Sequence, residues 1–158
     1  IAGGTGLALQ PARLRTPKRP LRALDERSFA VLAAALDRMI PARPGFPSPA
    51  ELQIAERVDD FLADGDPRVA AEFRQALLVL ENGLAGFLLD GRPTAFTRLA
   101  PEEQERVLDA WRTSRWKFRR MVYRAIHGLC MAVYFTCPEV FPAVGYAGPP
   151  AIAAGASE

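Results

Sequence analysis

The chain has 158 residues, of which 49% are hydrophobic, and its 20 basic and 18 acidic residues leave a formal net charge of +2. This length suits one ordinary domain, and so small a charge does not favour whole-molecule attraction to nucleic acid or anionic lipid. The longest strongly apolar stretches, residues 29–36 and 129–135, are shorter than the roughly 20 residues that a membrane-spanning helix needs.

The N-terminal region has the composition of a targeting or linker segment rather than that of a folded domain. Its first nine residues carry no charge and no initiator methionine, and five basic residues follow between positions 13 and 22. Such a mixture resembles the end of the hydrophobic region of an export signal. A nucleotide-binding glycine loop is disfavoured, because Leu9 stands where its third Gly or Ala belongs. We interpret residues 1–24 as an export-signal remnant followed by an extended linker.

Helix signals begin at Asp25, an N-cap residue type that precedes apolar residues at helical spacing, among them Phe29, Leu32 and Leu36. Pro41 ends this first helix. The sequence Ser48-Pro-Ala-Glu51 then combines a capping Ser, a proline at the first helical position and a Glu three residues after the cap. This capping box predicts a second helix from Ser48 to about residue 63.

A third helix is predicted from Asp66-Pro67, which repeats the pairing of a cap with a proline. Its apolar stripe continues for about six turns to Phe87 or Leu88. A last helical run is predicted from Pro101 to Phe135 with a bend near residues 113–114, and Pro138 stops it. In this run we expect one apolar set to face inward, comprising Phe118, Met121, Val122, Ala125 and Ile126. Two basic stripes are expected outside, made of Arg112, Arg115 and Arg119 and of Lys117, Arg120 and Arg124.

These elements predict an all-α fold. Residues 25–137 form a compact bundle of about five helices, because the apolar periodicity is helical and no sustained alternation typical of strands occurs. Residues 1–24 form the extended N-terminal segment, and residues 138–158 form an irregular tail rich in proline and glycine, which we expect to wrap the surface of a partner protein.

The sequence offers no arrangement of residues for catalysis. His127 is the single histidine, and no H-x-x-E, E-x-x-H or C-x-x-C spacing, which is typical of metal ligands, occurs along the chain. Motifs for a nucleophilic serine or for covalent haem attachment do not occur either. We therefore predict no catalytic, cofactor-binding or metal-binding residue in this chain.

The two cysteines, Cys130 and Cys137, are seven residues apart. On one continuous helix their Cα atoms would be roughly 10 Å apart, which is too far for a mutual disulfide. Two interpretations remain open. Both can be buried thiols, or, in an oxidising compartment, one can form a disulfide with a partner chain.

Aromatic residues continue past the end of the last helical run. Basic residues interleaved with aromatics can bind nucleic acid, but an acidic protein partner is the better interpretation here. We predict that these residues help to bind a partner protein, while Trp111, Tyr134 and Phe135 could equally fill the chain's own core. The predicted interface consists of Trp111, Arg115, Tyr134, Phe135, Phe141 and Tyr146.

Several short motifs occur in a specific order and spacing. They are Met39-Ile-Pro41, Pro47-Ser-Pro-x-x-Leu52, Ala76-Leu-Leu-x-Leu-Glu81, Phe96-x-x-Leu99, Glu105-Arg106-x-Leu108-x-x-Trp111-x-x-Ser114, Tyr134-Phe135-x-x-Pro138 and Gly145-Tyr-x-Gly-Pro149. Together they resemble the gluconate 2-dehydrogenase subunit 3 family over nearly the whole chain after Asp25.

The resemblance implies a non-catalytic small subunit that binds, stabilises and assists the export of a larger catalytic subunit. That partner is an FAD-dependent oxidoreductase of the glucose-methanol-choline (GMC) type, so FAD is expected in the partner and no cofactor in this chain. A multihaem cytochrome c commonly accepts the electrons. The resemblance also implies a periplasmic or cell-envelope location reached by the twin-arginine route.

Two rival functions remain. A stand-alone helical ligand-binding protein or small enzyme would use the interior of the bundle. A nucleic-acid-binding regulator would use the basic residues between Arg112 and Arg124, and its binding would depend steeply on salt.

Overall fold

The structure, a computed structural model, describes residues 15–82 and 94–149. Within these ranges the chain forms five α-helices and two 3-10 helices and no strand, which confirms the predicted all-α bundle. The α-helices are α1 (Glu26–Met39), α2 (Ile54–Asp64), α3 (Pro67–Glu81), α4 (Pro101–Arg112) and α5 (Lys117–Phe135). The 3-10 helices are η1 (Phe96–Arg98) and η2 (Pro138–Val144).

Helix α1 begins as its cap residue predicts. The Asp25 carboxylate accepts a hydrogen bond from the Ser28 backbone N–H at 2.7 Å, which satisfies one of the free amides at the helix start. Phe29, Leu32 and Leu36 are fully buried along one side. Helix α1 packs against α2, α3, α4 and α5 and so lies at the centre of the bundle.

The predicted start of α2 is wrong, although its capping box forms. The Ser48 N–H donates to the Glu51 carboxylate at 2.6 Å, and the Glu51 N–H donates to Ser48 Oγ at 3.2 Å. These bonds close a single turn, after which Gln53 adopts a left-handed backbone with φ of 51°. Because this conformation interrupts the helical path, α2 begins at Ile54.

Helix α3 begins at Pro67 as predicted but ends at Glu81, earlier than the sequence indicates. The backbone of Asn82 is extended, with ψ of 105°, so the apolar stripe does not continue as one unbroken helix. The later predicted positions, Phe87 and Leu88, lie outside the described residues.

The N-terminal segment, residues 15–24, lies against α2. The buried Asp59 carboxylate accepts three backbone hydrogen bonds, from Arg22 at 2.8 Å, Ala23 at 2.9 Å and Leu24 at 2.8 Å. The Arg22 guanidinium also pairs with Asp64 at 2.7 Å. Carboxylates of α2 therefore hold this extended segment in place, while residues 1–14, with the proposed export signal, lie outside the described residues.

The predicted single run from Pro101 to Phe135 is two helices. Helix α4 ends at Arg112 and α5 begins at Lys117, so the predicted bend near residues 113–114 coincides with a break in the helix. Helix α5 packs against α2, α3 and α4 and contributes Val122, Ile126 and Cys130 to the core.

Candidate partner-binding surface

Helix α5 carries a second apolar side that is exposed in the described part of the bundle. Its members recur at alternating spacings of three and four residues and are all exposed: Phe118, Met121, Ala125, Gly128, Ala132 and Phe135. We call this set the α5 apolar stripe. Phe118 is 53% exposed, Met121 56% and Phe135 48%. A helix that packs only on its own core needs one apolar side, so a second one favours contact with another surface.

The middle of the stripe is flat and its ends are bulky. Ala125, Gly128 and Ala132 form the middle, and a Cβ added at Gly128 would meet no atom within 4 Å. Beyond the N-terminal end, Trp116 is 54% exposed, with the Arg115 guanidinium 5.7 Å from its ring centroid. Small residues flanked by large ones let another backbone approach closely at the centre.

A basic edge, which we define as Lys117 and Arg124, runs along one side of the stripe. Lys117 precedes Met121 by four residues, and Arg124 precedes Gly128 by four. Because residues four apart are neighbours on a helix surface, each basic residue lies beside a residue of the stripe. Both basic side chains are exposed, and neither has a carboxylate within salt-bridge distance in residues 15–82 or 94–149. The edge is thus available to an acidic partner.

The predicted rotation of α5 is partly wrong. Val122 and Ile126 face the core as expected, but Phe118, Met121 and Ala125 face outward. Arg119, predicted to be outside, is only 6% exposed and lies over the Trp111 ring. Arg119 thus lies on the same buried side of α5 as Val122 and Ile126, and the opposite side faces solvent.

Two of the predicted interface residues belong to the core. Trp111 is 3% exposed, and Tyr134 is buried with its hydroxyl donating to the Pro47 carbonyl at 2.8 Å. These side chains therefore pack inside the bundle. Phe135, whose ring meets that of Tyr134 edge-on at 5.4 Å, remains exposed at the end of the stripe.

The remaining predicted interface residues lie at or near the surface. Arg115 is exposed, Phe141 is half-buried and Tyr146 is 49% exposed. The rings of Phe141 and Tyr146 meet edge-on with centroids 5.0 Å apart, and we call them the C-terminal aromatic pair. Gly145, in a left-handed conformation with φ of 68°, turns the chain so that this contact forms.

Both cysteines are buried free thiols. Burial raises the pKa of Cys130 to about 12 and also raises the pKa of Cys137. The Cys137 thiol donates to the Val133 carbonyl, with sulfur and oxygen 3.3 Å apart. A disulfide to a partner chain, which the sequence left open, would require the chain around either thiol to move, because neither thiol has exposed surface.

A comparison with known protein families identifies the family of this chain. A family model described as Gluconate 2-dehydrogenase subunit 3 matches residues 26–148. The chain belongs to this family. The match confirms the resemblance indicated by the sequence motifs, and it covers both the α5 apolar stripe and the C-terminal aromatic pair. No curated protein and no solved structure matches the chain.

The family name describes a subunit of a dehydrogenase. In the described part of the chain, no three His, Cys, Asp or Glu residues are grouped so that they could hold a metal ion. His127 stacks on Tyr123 with ring centroids 5.4 Å apart. Across the same residues, no helix combines the length and the apolar character needed to cross a membrane.

A cleft of about 460 Å³ lies beside the N-terminal segment, lined in part by Arg15 and Glu26. Two buried polar residues reach its wall and bond to each other. The Glu81 carboxylate accepts from the Thr97 N–H at 3.0 Å and from the Thr97 hydroxyl at 2.8 Å. Glu81 and Thr97 therefore already form hydrogen bonds with each other within the fold.

Proposed function

We propose that this chain is a non-catalytic accessory subunit of a dehydrogenase complex. It binds and stabilises an FAD-dependent catalytic subunit of the GMC type and assists its export to the cell envelope. The observation that supports this proposal most directly is the α5 apolar stripe, because a family member with a large uncovered apolar side needs a protein to cover it.

The composition of the stripe suits a lasting interface. Phe, Met, Trp and Tyr are enriched where protein surfaces meet, and each half-exposed Phe118, Met121 or Phe135 can gain roughly 1 kcal/mol on being buried. The C-terminal aromatic pair extends the same kind of surface beyond α5. These groups can supply the central contacts of a subunit interface.

The proposal assigns a different role to each subunit. The partner holds FAD and oxidises the substrate, and this chain contributes binding surface alone. A multihaem cytochrome c is the proposed electron acceptor of the assembled complex. The catalytic subunit leaves the cytoplasm folded together with this chain by the twin-arginine route, so the complex works in the periplasm or on the cell envelope.

Production of the catalytic subunit with and without this chain tests the proposal. We expect a flavoprotein to co-purify with a tagged form of this chain, identified by its visible flavin absorbance. Without the chain, the flavoprotein should lose yield, solubility or dye-linked dehydrogenase activity. Equal yield, solubility and activity under both conditions would refute the accessory role.

A further inference from the structure

The middle of the α5 apolar stripe has the shape of a site for another helix. We propose that it receives an α-helix of the catalytic subunit, closest at Gly128, with carboxylates along the side that faces Lys117 and Arg124. This inference rests on the proposed function, and it specifies which surface of this chain binds and what chemistry the bound segment has.

Gly128 is the first reason. Glycine in a helix interior is unfavourable, and at this exposed position a Cβ would meet no atom of the described residues beyond the backbone of α5 itself. The chain's own packing therefore does not explain the glycine. Close approach of a second backbone does, because removing the side chain at the point of contact lets two helices approach each other.

The length of the stripe is the second reason. From Phe118 to Phe135 the helix rises roughly 25 Å, which matches a partner helix of about 17 residues lying along it. Ala125 and Ala132 continue the flat surface on either side of Gly128. The bulky end residues can then pack against both ends of the partner helix.

The basic edge is the third reason, and it disfavours a second copy of this chain. In an antiparallel pair of α5 helices the same edge of each helix meets, so the two Arg124 side chains would lie near each other and Lys117 would lie beside the apolar end of the other copy near Phe135. In a parallel pair the basic edge would instead lie beside the apolar side near Leu129. Neither arrangement pairs these charges, whereas an acidic-edged helix does.

A photo-reactive amino acid in place of Ala125 identifies what covers the stripe. The modified chain is produced with the catalytic subunit, irradiated in the intact complex and analysed by mass spectrometry. We expect a cross-link to a helical flavoprotein segment that carries Asp or Glu. A cross-link to a second copy, or to residues 1–14 or 150–158 of this chain, would overturn the inference.

Two substitutions test the geometry and the charge separately. Gly128→Leu and Arg124→Glu should each lower the flavin that co-purifies by at least about tenfold. Arg68→Glu makes the same charge change at another exposed arginine, on α3, and should leave the flavin unchanged. Undiminished flavin with both Gly128→Leu and Arg124→Glu would refute helix binding at this site.

Gly128→Ala separates binding from folding. The added methyl group should keep or raise the melting temperature of the purified chain, because alanine favours the helix and meets no atom here. The same change should weaken the complex. Unchanged binding would show that no backbone approaches Gly128 closely. If the unmodified chain itself retains no flavoprotein, the proposed function is wrong. If the unmodified chain retains the flavoprotein and the variants retain it equally well, only the proposed helix site is wrong.

Discussion

The guanidinium carbon of Arg119 lies 5.7 Å from the centroid of the Trp111 ring, and both side chains are buried. Trp111 comes from the last turn of α4 and Arg119 from the first turn of α5, so their contact joins the two helices across the break between them. The pair lies on the side of α5 that faces the core, together with Val122 and Ile126.

Replacement of Trp111 by alanine should therefore destabilise the fold. We expect a loss of about 3 to 5 kcal/mol in the free energy of unfolding, because a large buried side chain is removed and Arg119 loses its packing. Urea denaturation followed by circular dichroism measures this. Trp116→Ala, which changes a half-exposed tryptophan nearby, is the control and should cost less than about 1 kcal/mol.

Polar substitution of the α5 apolar stripe should affect assembly rather than folding. The double variant Phe118→Ser with Met121→Ser should retain a near-normal melting temperature, because both side chains are already about half exposed. Co-purification with the catalytic subunit should fall by at least about tenfold. Phe61→Ser changes a similarly exposed phenylalanine on α2 and serves as the control. An equal loss with Phe61→Ser would argue against a specific role for the stripe.

Removal of the Asp59 carboxylate should release the N-terminal segment. Asp59→Ala leaves three backbone N–H groups without their acceptor, so we expect a loss of about 3 kcal/mol in stability. Limited trypsin digestion should then cleave faster after Lys18 or Arg22. Asp60→Ala removes only ion pairs with Arg19 and Arg22 that remain accessible to solvent, and it should cost less than about 1 kcal/mol. Comparable protection of the segment in both variants would contradict this account.

Stability should fall in alkaline solution because of Cys130. Burial raises its pKa from 9.0 to about 12 in the folded chain, so the unfolded chain loses this proton first as pH rises. The contribution is fully present below pH 9 and is lost as pH approaches 12, at a slope of up to about 1.4 kcal/mol per pH unit. Urea midpoints measured across this range, compared with those of Cys130→Ala, check the prediction. An identical pH dependence in the variant would count against it.

Local signals in the sequence predicted most helix starts and stops. Asp25 and Pro67 mark the first residues of α1 and α3 correctly, since caps and prolines act within one turn. The left-handed Gln53 could not be predicted, because no residue type at that position demands positive φ. The start of α2 was misplaced for this reason.

The candidate surface was harder to predict than the fold. Two apolar sets on α5 both follow helical spacing, one through Val122 and Ile126 and the other through Phe118 and Met121. Periodicity alone does not decide which set is buried; the packing of α5 against α2, α3 and α4 buries the set with Val122 and Ile126. The helical spacing of Ala125, Gly128 and Ala132 is visible in the sequence. It indicates a binding surface only when this side of α5 is known to be exposed.

The contact between Phe141 and Tyr146 affects the thermodynamics of association. The Tyr146 ring already rests against its neighbour in the unbound chain, held by the left-handed turn at Gly145. A side chain immobilised before association loses less rotational entropy when a second protein covers it, a saving of about 0.5 to 1.5 kcal/mol for each such group. The C-terminal aromatic pair is thus preorganised, so most of the free energy gained by burying its rings can go into affinity.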